Sequence, residues 1–168
     1  NLRLVAMAST GYDSVDVAAA DRRGVAVTNS RGTLHETTAD LTFGLILAAR
    51  RRIPESERYL RDGRWAQDDL DLLLGHDVFG ATLGIVGFGQ IGRPLHEALT
   101  CEPSACTVVG VLARDHERLQ AVPPHQRLHD LQQLRATRPA LVVEAAHPDV
   151  TRCWAEEILT FADYLPVS

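Results

Sequence analysis

The stretch TLGIVGFGQIGRPLHEAL, residues 82–99, decides how the rest of the chain is read. TLGIVG (82–87) is apolar and rich in β-branched residues, which predicts a buried strand, and GQIGRPLHEALT (89–100) reads as mostly helix. Gly87, Gly89 and Gly92 spell G-x-G-x-x-G across the junction. Each glycine has a physical task. Gly87 makes the tight turn, Gly89 lets the backbone approach a pyrophosphate, and Gly92 lets the helix lie close to the strand. The amides at the helix N-terminus, with the positive end of the dipole, suit the phosphates. The spacing alone recurs in turns that bind nothing. On strand–turn–helix, inside a βαβ unit of about 30 residues, it is a dinucleotide fingerprint. Gly87, Gly89, Gln90, Ile91 and Gly92 are therefore the first cofactor-binding candidates.

Downstream the alternation continues. TVVGVLA (107–113) reads as a strand, DHERLQA (115–121) and DLQQLRA (130–136) as helical stretches separated by Pro123 and Pro124, and PALVVEAA (139–146) as a strand. DVTRCWAEEILTFA (149–162) is a helix pattern and DYLPVS (163–168) a further strand. Apolar strands without alternation, separated by helices, predict a parallel sheet covered on both faces. The second strand of the unit runs into LARD, with Arg114 22 residues beyond Gly92. An acid here would hold the ribose diol of NAD, whereas Arg favours the 2′-phosphate of NADP. Arg114 followed by Asp115 fits either, so the expected cofactor is NAD or NADP.

Upstream, LVAMAS (4–9) is a short apolar run before the turn signal TGYD, VDVAAADRRG (15–24) a short helix stopped by Gly24, and VAVTN (25–29) a strand. HETTADLTFGLILAARRR (35–52) is the longest helical pattern. Thr and acids at its start and three Arg at its end suit the dipole, so Arg50–Arg52 reads as a terminal charge cluster rather than a phosphate grip. Pro54 starts another helix ending near Gly63, and residues 64–81 read as loop.

Composition sets the outer bounds. The 168 residues are 45 % hydrophobic and 23 % charged, as in ordinary globular domains, and a chain this long buries about 70 % of its unfolded surface. All 17 basic residues are Arg; the absence of Lys excludes Schiff-base chemistry and the P-loop lysine. A net charge of −5 argues against nucleic acid. Cys101, Cys106 and Cys153 are too few and scattered for a disulfide framework or a tetrahedral zinc site, so reduced thiols and a cytoplasmic location are expected. No run of 18 apolar residues predicts a membrane helix. The opening NLRLVAMAST lacks an initiator Met and a signal pattern and reads as a strand already under way, as if the chain began inside a larger protein.

Three further motifs carry a resemblance. STGYDSVDVAAADRRGVAVTN, TTADLTFGLILAARRR and VFGATLGIVGFGQIGRP, in this order and spacing, resemble the D-isomer-specific 2-hydroxyacid dehydrogenases over residues 2–94. The resemblance implies hydride transfer between a nicotinamide cofactor and a small 2-keto or 2-hydroxy acid. It implies that backbone amides at Thr10–Gly11 meet the substrate carboxylate and that Thr38 lies near the nicotinamide, although Thr38 also reads as a helix-starting hydroxyl. The family's catalytic Arg, His acid/base and His-orienting carboxylate lie beyond the glycine turn, in motifs this chain does not contain. Arg31 in TNSRG sits upstream of them and is an expected decoy. The implied fold class is α/β, a Rossmann-type parallel sheet with helices on both faces, preceded by a partial flavodoxin-like substrate-domain segment. Residues 1–34 would be the partial substrate domain, 35–80 interdomain helices and loop, and 81–168 the NAD(P)-binding domain, incomplete at its C-terminus.

Residues 84–168 also look like the cofactor domain of L-aspartate dehydrogenases, which carry a similar glycine turn followed by a VVEAA strand. A fusion, a divergent member and a chain of fragments all fit this change of resemblance. Of seven histidines, His147 follows strand 139–146 at the end that faces the ligand crevice in doubly wound sheets, and is the catalytic candidate; a polar loop residue before Pro148 is the plainer reading. His35 reads as a solvated helix-start residue. His76, His96, His116, His125 and His129 are expected in loops or on exposed helix faces, without metal-ligand spacing. Two other classes stay open: a dinucleotide-binding module without chemistry, and a partial product whose open sheet edge is covered by another chain, a homodimer partner included.

Overall fold

The apolar runs become strands in the predicted order in the computed structural model, which describes residues 1–12, 14–30, 32, 34–67, 69–101 and 106–167. The described residues fall into two units, Asn1–His35 and Glu36–Ser168. In the first, β1 (Leu4–Ala6) and β2 (Ala26–Thr28) pair in parallel, with Val5 opposite Val27. Helix α1 (Val17–Arg22) links them. The Asp16 carboxylate caps it by accepting the Ala19 N–H at 2.8 Å, satisfying one of the orphan donors of the first turn.

The second unit opens with α2 (His35–Arg50) and α3 (Ile53–Arg61). The predicted helix 35–52 ends two residues early because Arg52 turns into the left-handed region at φ 53°. The arginines there do more than balance a dipole. Arg50, its side chain 9 % exposed, reaches Asp163 Oδ2 at 3.1 Å and donates to the Asp77 carbonyl at 3.1 Å. Its own carbonyl accepts the His76 N–H at 2.8 Å.

The remaining elements are β3 (Ala81–Val86), α4 (Gly92–Thr100), β4 (Cys106–Leu112), β5 (Arg127–Leu128), α5 (Leu131–Ala136), β6 (Leu141–Glu144), α6 (Pro148–Ile158) and β7 (Asp163–Pro166). The five strands form one parallel sheet in the order β5-β4-β3-β6-β7. Successive residues of β3 serve opposite faces. Ile85 packs with Leu95 of α4 and Ile46 of α2, whereas Val86 packs with Leu134 of α5 and Ile158 of α6. Helices thus cover both faces, as a buried parallel sheet requires. Chain order reverses between β3 and β6, and at such a switch point the loops diverge and leave a crevice.

Two local expectations are corrected. Residues 115–121 give only a 3-10 turn, Arg118–Ala121, because Pro123 and Pro124 divert the chain into a second turn and then into the short strand β5. Leu128 of that strand fills the space over Gly110, where a Cβ would lie 2.3 Å from Leu128 Cδ1. His96, expected to be exposed, is 5 % exposed. Its Nε2 lies 2.9 Å from Gln126 Oε1, and Gln126 Nε2 donates to the Val108 carbonyl at 2.8 Å. The second 3-10 turn brings Gln126 under α4 and so supplies the partner that a buried imidazole needs.

Candidate functional site

The carboxyl ends of β3, β4 and β6 open into a crevice of about 320 Å³. The turn after β3 supplies Gly87, Phe88, Gly89, Gln90 and Ile91; the segment after β4 supplies Ala113, Arg114, Asp115 and Arg118; the end of β6 supplies Ala145 and Ala146. All five predicted turn residues except Gly92 line it, and Gly92 has a different task. A Cβ on Gly92 would lie 2.0 Å from the Gly87 carbonyl oxygen, so only hydrogen lets α4 approach the strand this closely. Gly87 takes φ +99°, and a Cβ there would meet Ala145 and Ala146 at 2.7 Å. Gly89 is the contrast: a Cβ on it would meet nothing within 4 Å. Packing does not explain the missing side chain at Gly89, whereas a ligand approaching its backbone does. Helix α4 begins behind the turn with Ile91 at its N-cap and no side-chain cap, so its dipole and first amides face the crevice without a competing oxygen. The cradle fits a pyrophosphate.

On the β4 side, Arg114 is exposed and, among the described residues, makes no ion pair. Asp115 is engaged: its Oδ2 lies 2.9 Å from Arg118 Nε and its Oδ1 accepts the Glu117 N–H at 3.1 Å. The acid that would read a ribose diol is thus held by its own loop, while the adjacent guanidinium is available.

The β6 side is fixed from below by Glu144, which is fully buried. Its Oε1 accepts the N–H groups of Ala146 at 2.6 Å and His147 at 2.8 Å, and its Oε2 accepts the Thr151 hydroxyl at 3.2 Å. That hydroxyl gives its only proton to Glu144, so at the 2.9 Å contact with Tyr164 the phenol is the donor. Burial pushes the Tyr164 phenol up from its ordinary value, the Thr151 contact pulls it back, and the Glu144 charge pushes it up again. Composition and spacing did not single out Glu144, Thr151 or Tyr164; the only available signal was an acid closing an otherwise apolar strand.

His147 is the N-cap of α6. Its Nδ1 accepts the Asp149 N–H at 3.2 Å, and its ring is turned toward that helix rather than among the residues lining the crevice. Thr38 lies in the first turn of α2, half-buried, and its carbonyl accepts the Thr42 hydroxyl at 2.7 Å. In the first unit, Thr10 and Gly11 form the turn after β1. Thr10 Oγ1 donates to the Ser30 carbonyl at 3.2 Å, Asn29 Nδ2 donates to the Thr10 carbonyl at 2.6 Å, and Ser9 Oγ donates to the Gly11 carbonyl at 2.7 Å. The turns after the two strands are tied together, and both stand at the carboxyl edge of their sheet. Arg31 lies outside the described residues.

A family profile described as "D-isomer specific 2-hydroxyacid dehydrogenase, catalytic domain" matches residues 1–166. The chain belongs to this family. The match runs through the segment whose strands look like those of L-aspartate dehydrogenase, so the change of resemblance at the glycines is not a family boundary. As a 2-hydroxyacid dehydrogenase family member, the chain is 53 % identical over 93 residues to a glyoxylate reductase of Korarchaeum cryptofilum, covering 54 % of this chain and 28 % of that one. It is 44 % identical over 98 residues to a glyoxylate reductase of Thermococcus litoralis, covering 56 % and 30 %. The crystal structure of a protein from Thermus thermophilus superposes with TM-score 0.78 at 34 % identity, covering 98 % of this chain and 52 % of that one. That of an NADPH-dependent glyoxylate/hydroxypyruvate reductase of Sinorhizobium meliloti, in complex with NADP and malonate, does so with TM-score 0.70 at 28 % identity, covering 86 % and 43 %. The chain thus matches less than a third of those curated relatives and about half of those solved chains.

Proposed function

We propose that this chain is the dinucleotide-holding part of an NAD(P)-dependent oxidoreductase acting on a small 2-keto or 2-hydroxy acid. The observation that carries the reading is the open space over Gly89 beside an uncapped helix N-terminus, at the switch point of a parallel sheet. The family match and the glyoxylate reductases among the relatives support the substrate class. Malonate bound with NADP in one relative fits a small carboxylate beside the cofactor. When bound, the nicotinamide supplies the hydride.

The chain's own residues bind and orient. Amides of the Gly87–Gly92 turn hold the pyrophosphate, and Ala145 and Ala146 wall the crevice. Thr10 and Gly11 offer amides to the substrate carboxylate, and Thr38 stands near the nicotinamide. In this reading, residues 1–34 belong to the substrate domain, 35–80 to the connection, and 81–168 to the cofactor domain. Because Asp115 is already held by Arg118, Arg114 is the group that selects, and NADP is the better-suited cofactor.

Fluorescence titration with NADPH and NADH tests this. A charge-assisted bond to the 2′-phosphate is worth roughly 1.5–3 kcal/mol, so Arg114→Ala should weaken NADPH by about one to two decades and spare NADH. Equal losses for both would show that Arg114 does not read the 2′-phosphate. The family's Arg and His motifs are not in this chain, and losing an acid/base removes about 10²–10⁴-fold. The 168 residues should therefore bind dinucleotide with little turnover. Robust reduction of glyoxylate by them would overturn that, and would make His147 the next residue to substitute.

A further inference from the structure

His116 and His129 are 13 positions apart in sequence, and the fold brings their rings together. The two Nδ1 atoms lie 2.9 Å apart, with ring centroids 4.8 Å apart and planes tilted by 36°. Two lone pairs cannot face each other at this distance, so one Nδ1 carries a proton and the pair shares it. Both rings are exposed, and both backbones are held locally. His116 lies in the turn where the Asp115 carboxylate accepts the Glu117 N–H, and the His129 N–H donates to Gln133 Oε1 at 2.9 Å, just before the Asp130 cap of α5. Two nitrogen donors are thus fixed at one point, open to solvent, directly after the crevice residues Arg114 and Asp115.

We propose that His116 and His129 form a two-nitrogen seat for one borderline divalent cation, such as Cu²⁺, Ni²⁺ or Zn²⁺, which takes the place of the shared proton. With metal–nitrogen bonds of about 2.0–2.1 Å, nitrogens 2.9 Å apart subtend about 90° at the ion, the cis angle of a square-planar or octahedral centre. Opening the pair to about 3.3 Å would give the tetrahedral angle that zinc takes. Rings pointing straight at each other across this gap would have centroids about 5.2 Å apart, so at 4.8 Å at least one ring is turned off the line between the nitrogens. Loading a neutral pair needs no net proton release, because the donor ring moves its proton from Nδ1 to Nε2.

Among the described residues no third His, Cys, Asp or Glu joins the pair, so water fills the remaining positions. Oxygen-seeking ions are therefore excluded. The ion would bridge the segment after β4 to the segment before α5 and so brace the Arg114 side of the crevice. This inference does not depend on the dehydrogenase reading.

Isothermal titration of the 168-residue chain with the chloride salts of Cu²⁺, Ni²⁺, Zn²⁺ and Mg²⁺ at neutral pH tests it. One ion per chain is expected for the first three, tightest for Cu²⁺, and none for Mg²⁺. The site should disappear in H116A and in H129A, both shown folded by circular dichroism, and persist in H125A, which removes another exposed imidazole. Nitrogen splitting in the Cu²⁺ electron paramagnetic resonance spectrum should correspond to two imidazoles and fall to one or none in either variant. Unchanged stoichiometry and affinity in H129A, or Mg²⁺ binding equal to that of Cu²⁺, would overturn the proposal.

Discussion

Replacing Gly89 and Gly92 each by Ala should separate binding from stability within one turn. At Gly89 the added Cβ meets nothing within 4 Å, and the residue is not among the glycines with positive φ. A Gly→Ala change at a compatible site stabilises by about 0.4–1 kcal/mol through the unfolded chain. The methyl group nevertheless occupies the space through which a pyrophosphate reaches the backbone. Losing two charge-assisted amide bonds at about 1.5–3 kcal/mol each would weaken dinucleotide binding by roughly two to four decades. At Gly92 the Cβ would sit 2.0 Å from the Gly87 carbonyl oxygen and 3.0 Å from its carbon, both backbone atoms that cannot rotate away. Helix α4 would have to move, at a cost of about 1–3 kcal/mol or more. For a chain of this size that lowers Tm by roughly 2–4 °C per kcal/mol. Thermal denaturation followed by circular dichroism, with fluorescence titration of NADPH, reads both effects. Gly89→Ala should keep or slightly raise its Tm and lose binding, whereas Gly92→Ala should lose Tm first. Unchanged NADPH affinity in Gly89→Ala would refute the assignment of the crevice.

Two further substitutions and one labelling experiment follow from the same geometry. Glu144→Leu leaves the Ala146 and His147 amides without their acceptor, at about 1–3 kcal/mol each, whereas Glu144→Gln keeps an oxygen in place; urea denaturation should rank wild type above Gln and Gln above Leu, and equal stability of the two variants would sink this role. NADPH affinity should follow the same order, because the carboxylate holds the Ala145–Ala146 wall. Cys101 and Cys153 are exposed, while Cys106 is buried and burial pushes its thiol up, so brief treatment of the native chain with iodoacetamide should label the first two and spare the third by mass spectrometry. Fast labelling of Cys106 would mean that β4 opens more readily than its packing implies.

The glycine turn was legible because its task is local: backbone conformation and close approach depend on residues within one strand–turn–helix. The covered parallel sheet followed from apolar runs with no alternation, which only a sheet covered on both faces accommodates. What was not legible depends on partners distant in sequence. His96 reads as a polar residue on a short amphipathic helix until Gln126, 30 residues on, arrives beneath it. Arg50 looks like a helix-end charge until Asp163 and the Asp77 carbonyl converge on it. His147 stood where a crevice residue belongs, yet the geometry of a helix N-cap claimed its ring. The proton shared by His116 and His129 likewise exists only after β5, too short to give a sequence signal, has taken its place beside β4.

The central position of β3 also bears on how the molecule is made. Its first partner, β4, follows directly, but β6, which closes the other side, leaves the ribosome about 60 residues after β3 begins, and contacts of such separation form slowly. During synthesis the glycine turn therefore emerges with one flank finished and the other missing. Gly87 waits for Ala145 and Ala146, and these in turn rest on a carboxylate whose hydrogen-bond chain ends on Tyr164 of β7. A dinucleotide that binds only the finished cradle stabilises it by mass action and does nothing for earlier states. In a cell, then, the cofactor would act as an inspection of the newly made cradle, favouring the chains in which β6 and β7 have docked.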